Sequence, residues 1–175
     1  DVSVISDDSE AIYRATNYLI SKGHHRIVGV FQVDDQQGVN RLDGYMKAYQ
    51  AHSALLTDCM PMMYKSDDVT LALHQINELV VQSPTKRPTA IIAYNDQLAI
   101  RIIAMIHDLG LRVPEDISVM GFDDFQLSQY LSPRLTTMTH EKQRMGQDAA
   151  KLLIQKINHH KVASIIYRPE LIERD

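Results

Sequence analysis

Polar side chains gather at one kind of place in this sequence, directly after short apolar runs. The run 26–31 is followed by Gln32-Val33-Asp34-Asp35-Gln36-Gln37-Gly38-Val39-Asn40-Arg41. The run 60–64 leads into Lys65-Ser66-Asp67-Asp68, and 89–94 leads into Asn95-Asp96. In the same way 117–122 is followed by Asp123-Asp124, and 135–138 by Thr139-His140. Carboxylates accept hydrogen bonds, Arg donates through a rigid fork, and an amide does both. Such groups converging with a few aromatic rings suit a ligand covered in hydroxyls. Taken singly, each is weak. Asn or Asp after a strand is more often a helix cap, and Asp123-Asp124 reads equally as turn chemistry. Arg41 differs, because the helix macrodipole opposes a cation near a helix start, so a specific partner is expected for it.

Catalytic chemistry finds less support. The sequence has no Gly-x-Ser-x-Gly elbow, no Gly-x-x-x-x-Gly-Lys loop and no Gly-x-Gly-x-x-Gly fingerprint. Seven glycines in all leave little from which to build a phosphate cradle. His24-His25 and His159-His160 are adjacent pairs that do not share a face, and no His/Cys cluster has zinc spacing. No metal and no cofactor are therefore expected. Paired carboxylates at 7–8, 34–35, 67–68 and 123–124 say little about acid–base geometry. Solvated caps are the simpler reading for 7–8 and 67–68. An enzyme on a flavodoxin-like sheet, using Asp123 or Asp96, remains a rival without a motif.

The elements that must position these groups can be read from periodicity. The five apolar runs read as strands, three of them nearly continuous, as strands covered on both faces require. A first helix has Ser6, Asp7 or Asp8 as cap, Ile12, Ala15, Thr16 and Leu19 inward, and Gly23 as its end. A second is expected over 40–52. A third starts near Asp67-Asp68 and carries Leu71, Leu73, Ile76, Leu79 and Val80 until Pro84 and Pro88. A fourth runs from an Asn95 cap to Gly110, and a fifth over 141–158 has Met145, Ala149, Leu152 and Leu153 inward. The tail 164–173 reads as extended around Pro169. Alternating helix and strand imply an α/β fold with a parallel sheet. In such sheets ligands bind beyond the carboxyl ends of the strands, which is where the polar groups fall. The fourth helix is apolar on more than one face, so it is either wedged between lobes or meets another subunit.

Bulk properties narrow the partners. The 175 residues are 45% hydrophobic and 23% charged, with a net charge of −4. That balance argues against this segment gripping nucleic acid itself. Cys59 is the only cysteine, which fits a reducing cytoplasmic setting. No apolar run reaches membrane-spanning length. The chain opens mid-strand at Val2-Ser3-Val4-Ile5, so an upstream part is expected to be missing.

Six blocks then carry a resemblance. They are Tyr18-Leu19-Ile20-x-x-Gly23-His24-His25-Arg26-Ile27, Arg41-Leu42-Asp43-Gly44-Tyr45, Pro88-Thr89-Ala90-Ile91, Tyr94-Asn95-Asp96-Gln97-x-Ala99, Gly110 through Asp124, and Leu135-Thr136-Thr137. In order and spacing they resemble the effector domain of LacI/GalR transcriptional regulators. The resemblance implies a type I periplasmic-binding-protein fold, a three-layer α/β parallel sheet in each of two flavodoxin-like lobes, present here as a partial chain. Residues 1–139 would be the C-terminal lobe, and 140–175 the crossover helix and strands of the N-terminal lobe. The resemblance also implies roles. Arg41, Asn95 and Asp123 match residues that hydrogen-bond a sugar, and removing Arg41 is expected to abolish binding with the fold intact. His140 matches the hinge, and Asp8, with Asp7, a polar pair at the lobe crossover. An aromatic place falls on Tyr64 or Val69. A homodimer would form through Ile100, Ile103, Ala104, Tyr130 and Leu131.

A narrower resemblance, carried by Asp34 through Arg41 and by Pro169-Glu170-Leu171-Ile172-x-Arg174, is to arabinose repressors of Gram-positive bacteria. It implies L-arabinose as effector and operator DNA bound through a missing GntR-type winged helix. Sugar binding would close the lobes and release DNA. A periplasmic sugar-binding protein of a transport system is the alternative, against which the block Val113-Pro114-Glu115-Asp116-Ile117-Ser118 counts. A purine or other non-sugar effector is a further possibility in the same cleft.

Overall fold

The computed structural model describes residues 2–175. In chain order its first elements are β1 (Val4–Ser6), α1 (Asp8–Ser21), β2 (Ile27–Gln32), α2 (Gln36–Ala51) and β3 (Cys59–Tyr64). There follow α3 (Val69–Val80), β4 (Ala90–Ala93), α4 (Asp96–Asp108) and β5 (Ser118–Phe122). The chain continues through β6 (Thr136–Thr139), α5 (Lys142–Ile157), β7 (Ile165–Tyr167) and β8 (Glu170–Ile172). Six strands form one sheet in the order β3-β2-β4-β5-β6-β8, parallel except for β8, which runs antiparallel to β6. The other two, β1 and β7, pair as a separate parallel ribbon.

Strand side chains alternate between two apolar clusters. Val28, Val30, Ile91 and Ala93 join Ala72, Ile76, Ile102 and Ile106 of α3 and α4. Ile27, Phe31, Ala90 and Ile92 join Ile12, Leu19, Tyr45 and Tyr49 of α1 and α2. With helices on both faces, consecutive strand residues are all buried, which is why these strands read as unbroken apolar runs. The result is the three-layer α/β architecture expected. Asp7, Asp35 and Asn95 cap α1, α2 and α4, accepting the backbone N–H of Glu10, Gly38 and Leu98. Gly23 (φ 93°) and Gly110 (φ 74°) take the left-handed conformation that ends a helix.

Four expectations are corrected. The second helix starts at Gln36 rather than Asn40, because Asp35 supplies the cap; Arg41 then lies in its second turn, facing inward. Leu71 is 55% exposed, and Ala72 takes the inward position of α3 instead. Within these 175 residues no residue of α5 is fully buried and Leu153 is 61% exposed, while Ala149, Leu152 and Leu153 border Val4 of the short ribbon. Finally, the sheets do not divide at 139. The first strand belongs to the ribbon, while β8 returns to pair with the edge of β6 and packs Leu171 against the α1–α2 cluster. An unpaired strand edge is satisfied this way. The chain therefore passes between ribbon and sheet three times, near 7, near 141 and near 168.

Candidate functional site

The site is built around one buried cation. Arg41 is 1% exposed. Its Nε donates to Asp8 Oδ2 at 3.1 Å and its Nη1 to the Tyr94 carbonyl at 2.5 Å, while Nη2 lies 3.6 Å from Asp123 Oδ1. The guanidinium lies 3.7 Å from the centre of the Phe122 ring and 4.8 Å from that of Tyr94. Burying a charge is costly unless it is paired and hydrogen-bonded, and here two carboxylates, a carbonyl and two rings do so. Asp8, at the start of α1, is also buried, and its Oδ1 has no partner among the described residues. The partner expected for Arg41 thus exists, supplied 33 positions earlier in the chain.

Asp123 and Asp124 follow β5 with φ of 101° and 46°, both left-handed and unfavourable for residues with a Cβ. The turn splits the pair. Asp123 keeps its side chain 32% exposed beside Arg41, while Asp124 turns away to Arg174 at 2.6 Å. His140, just after β6, is half-buried, with its ring centre 6.0 Å from that of Phe122. Its Nδ1 has no partner among the described residues. Burial pushes its pKa below the ordinary value, so the ring is neutral near pH 7 and can donate from one nitrogen and accept at the other. Arg41, Asp8, Asp123 and His140 therefore come together where the ribbon joins the carboxyl edge of the sheet.

Asn95 and Tyr64 stand beside this cluster. The Asn95 Oδ1 is engaged as the cap of α4, and its Nδ2 makes no hydrogen bond among the described residues. Tyr64 is nearly buried, edge-on to Tyr94 at 6.5 Å, and burial pushes its hydroxyl up to about 12. With Gln32, Val69 and Arg101, these two line a small hollow. Tyr64 and Val69, alternatives for the aromatic place, border the same space. Sequence reasoning missed Tyr94 and Phe122 as the cradle of Arg41, and missed Asp35, which accepts from the Tyr94 hydroxyl at 2.7 Å. A large ring ending a strand just before a polar pair was the available signal.

The residues expected at a subunit interface are not equivalent. Ala104 is exposed, Tyr130 is 72% exposed, and Ile100 and Leu131 are half-buried. Ile103, at 7% exposure, packs in this chain's own core on the stripe with Ala99 and Ile106. An apolar hollow at the opposite end of the sheet, floored by Leu19, Val119 and Leu135, has its rim charges tied up as Lys22–Glu173 and Arg134–Asp175 pairs. Among the described residues no group of three or more His, Cys, Asp or Glu could hold a metal ion. No helix is long and apolar enough to cross a membrane.

Residues 16–175 match the periplasmic binding protein-like domain. The arabinose metabolism transcriptional repressor of Geobacillus stearothermophilus is 42% identical over 173 residues, which is 97% of this chain and 48% of that protein. The HTH-type transcriptional repressor PurR of Vibrio atlanticus is 33% identical over 176 residues, 98% of this chain and 51% of that one. The chain spans about half the length of these relatives. Among solved structures, a regulatory protein of the LacI family from Chloroflexus aggregans superposes with a TM-score of 0.88 at 28% identity. It covers 99% of this chain and 63% of its own.

Proposed function

Because this chain belongs to the periplasmic binding protein-like domain family and is similar throughout to LacI-family regulators, we propose that it senses a small sugar for a bacterial transcriptional repressor. The observation that carries this reading is Arg41, buried yet fixed between Asp8 and Asp123 at the carboxyl edge of a parallel sheet. A guanidinium held this way presents its remaining N–H groups without further ordering. The carboxylates on either side accept from the hydroxyls that those N–H groups do not meet. The Asn95 amide donates, His140 adds a neutral polar group, and Tyr64 or Tyr94 offers a ring for the apolar face of a pyranose. The set suits an uncharged polyol, and its carboxylates are engaged in binding Arg41 rather than poised for turnover.

The effector is L-arabinose. Two observations support that choice: the run Asp34 through Arg41, and the name of the relative at 42% identity. Asp8 and His140 lie at two of the three passages between ribbon and sheet, so the ligand bonds to groups on the hinge itself. Closure shifts the equilibrium only by the ligand's differential affinity for the two states. Operator DNA is bound by another part of a cytoplasmic protein, since this segment carries a net charge of −4. The protein is a homodimer, joined through the outer side of α4 and the segment holding Tyr130 and Leu131. The relatives are repressors, which disfavours a transport protein.

Calorimetric titration of the full-length protein with L-arabinose, D-xylose, D-galactose and D-ribose tests the reading. Saturable binding of L-arabinose alone, in the range of about μM to mM typical of metabolite sensors, is expected. Binding of another sugar alone would replace the effector and keep the site. Binding of none would overturn the sugar reading.

A further inference from the structure

The turn that carries Asp123 is held from beneath by a carboxylate outside the ligand site. Asp96, the first residue of α4, is 1% exposed and has no cationic partner within ion-pair distance among the described residues. It is satisfied by three donors from two other stretches of chain. Oδ2 accepts the Phe125 N–H at 2.7 Å and the Ser128 hydroxyl at 2.5 Å, and Oδ1 accepts the Thr137 hydroxyl at 2.6 Å. The same Thr137 oxygen accepts the Asp124 N–H at 3.4 Å. Asp123 itself donates its N–H to the Met138 carbonyl at 2.8 Å.

These bonds bracket the two left-handed residues. A strained backbone of this kind persists only where its surroundings over-determine it. Gly121, just before the turn, belongs to the same arrangement, because a Cβ there would run into Asp96 Oδ1. The sheet is bare at the place where the carboxylate enters. The N-terminus of α4 favours an anion, which together with the three donors lets Asp96 remain buried without a cation.

Resting on the sugar-binding reading of Asp123, we propose that Asp96 is a positioning residue, one that fixes the Asp123-Asp124 turn and so aims the Asp123 carboxylate at Arg41 and the ligand. A merely structural Asp96 would act on stability without distinguishing whether Asp123 is present. The two roles separate in a double-mutant cycle on the full-length protein, with L-arabinose as probe. Ser128→Ala removes one donor, Thr137→Val removes a donor together with the acceptor of the Asp124 N–H, and Asp96→Asn turns one of the two acceptor oxygens into a donor.

Each variant is expected to lower affinity about tenfold in the parent and to have almost no effect in an Asp123→Asn background, because coupled groups are not additive. Unchanged affinity in the folded single variants, or equal loss in both backgrounds, would overturn the assignment. If the parent binds no sugar, the ligand reading fails by itself. Positioning is then judged by amide hydrogen exchange. Faster exchange confined to Asp123, Asp124 and Phe125 in Ser128→Ala supports it, and unchanged exchange rejects it.

Discussion

At the scale of single residues, Arg41 joins the proposed sugar contact to the stability of the fold. Its full burial corrects the expectation that it could be removed with the fold intact. Arg41→Ala leaves the Asp8 carboxylate uncompensated in the interior, and breaking one side of a buried pair costs about 3–5 kcal/mol. The variant is therefore expected to lose sugar binding and to unfold at markedly lower urea. Replacing both partners with apolar residues, Arg41→Met with Asp8→Leu, is expected to recover most of that stability and none of the binding. Urea unfolding beside calorimetry separates the two effects. Retained affinity in either variant would remove Arg41 from the site.

At the scale of elements, helix packing explains which glycines matter. A Cβ on Gly44 of α2 would run into the backbone of α1 at Ser9 and Tyr13, so the two helices touch there without side chains between them. Gly44→Ala is expected to destabilise by about 1–3 kcal/mol through forced separation of a packed pair. Gly146 lies within α5, where an added Cβ meets nothing within 4 Å. There Gly→Ala should stabilise by about 0.5–1 kcal/mol through helix propensity alone. Paired urea titrations give the comparison; a neutral Gly44→Ala would show that α1 and α2 do not approach this closely.

At the scale of the whole molecule, the helix that looked apolar all round resolves into a buried side and an outer side. Leu98, Ala99, Ile102, Ile103 and Ile106 close the core against the sheet, and Ile100 and Ala104 are left on the outside, with the exposed Tyr130 on the segment after β5. Ile100→Asp is expected to shift the full-length protein from dimer toward monomer in sedimentation velocity. Ile103→Asp should instead unfold it, because the charge would enter the core. A sedimentation profile unchanged by Ile100→Asp would sink the interface assignment.

The order and kind of the elements were legible in the residues alone, because the signals are local. Caps at Asp7 and Asn95, left-handed glycines at 23 and 110, and unbroken apolar runs each report on a few neighbours. So was the edge of the sheet where polar groups collect, since it follows from strand direction. Which of those groups meet was not legible. Asp8 and Arg41 are 33 residues apart, and Asp96 gathers donors 29, 32 and 41 residues away. Their contacts depend on strand order and on how closely α1, α2 and α4 approach the sheet. The return of β8 to the edge of β6 is likewise settled by what lies across the gap. Periodicity marks a face as apolar; only the assembled layers decide whether anything covers it.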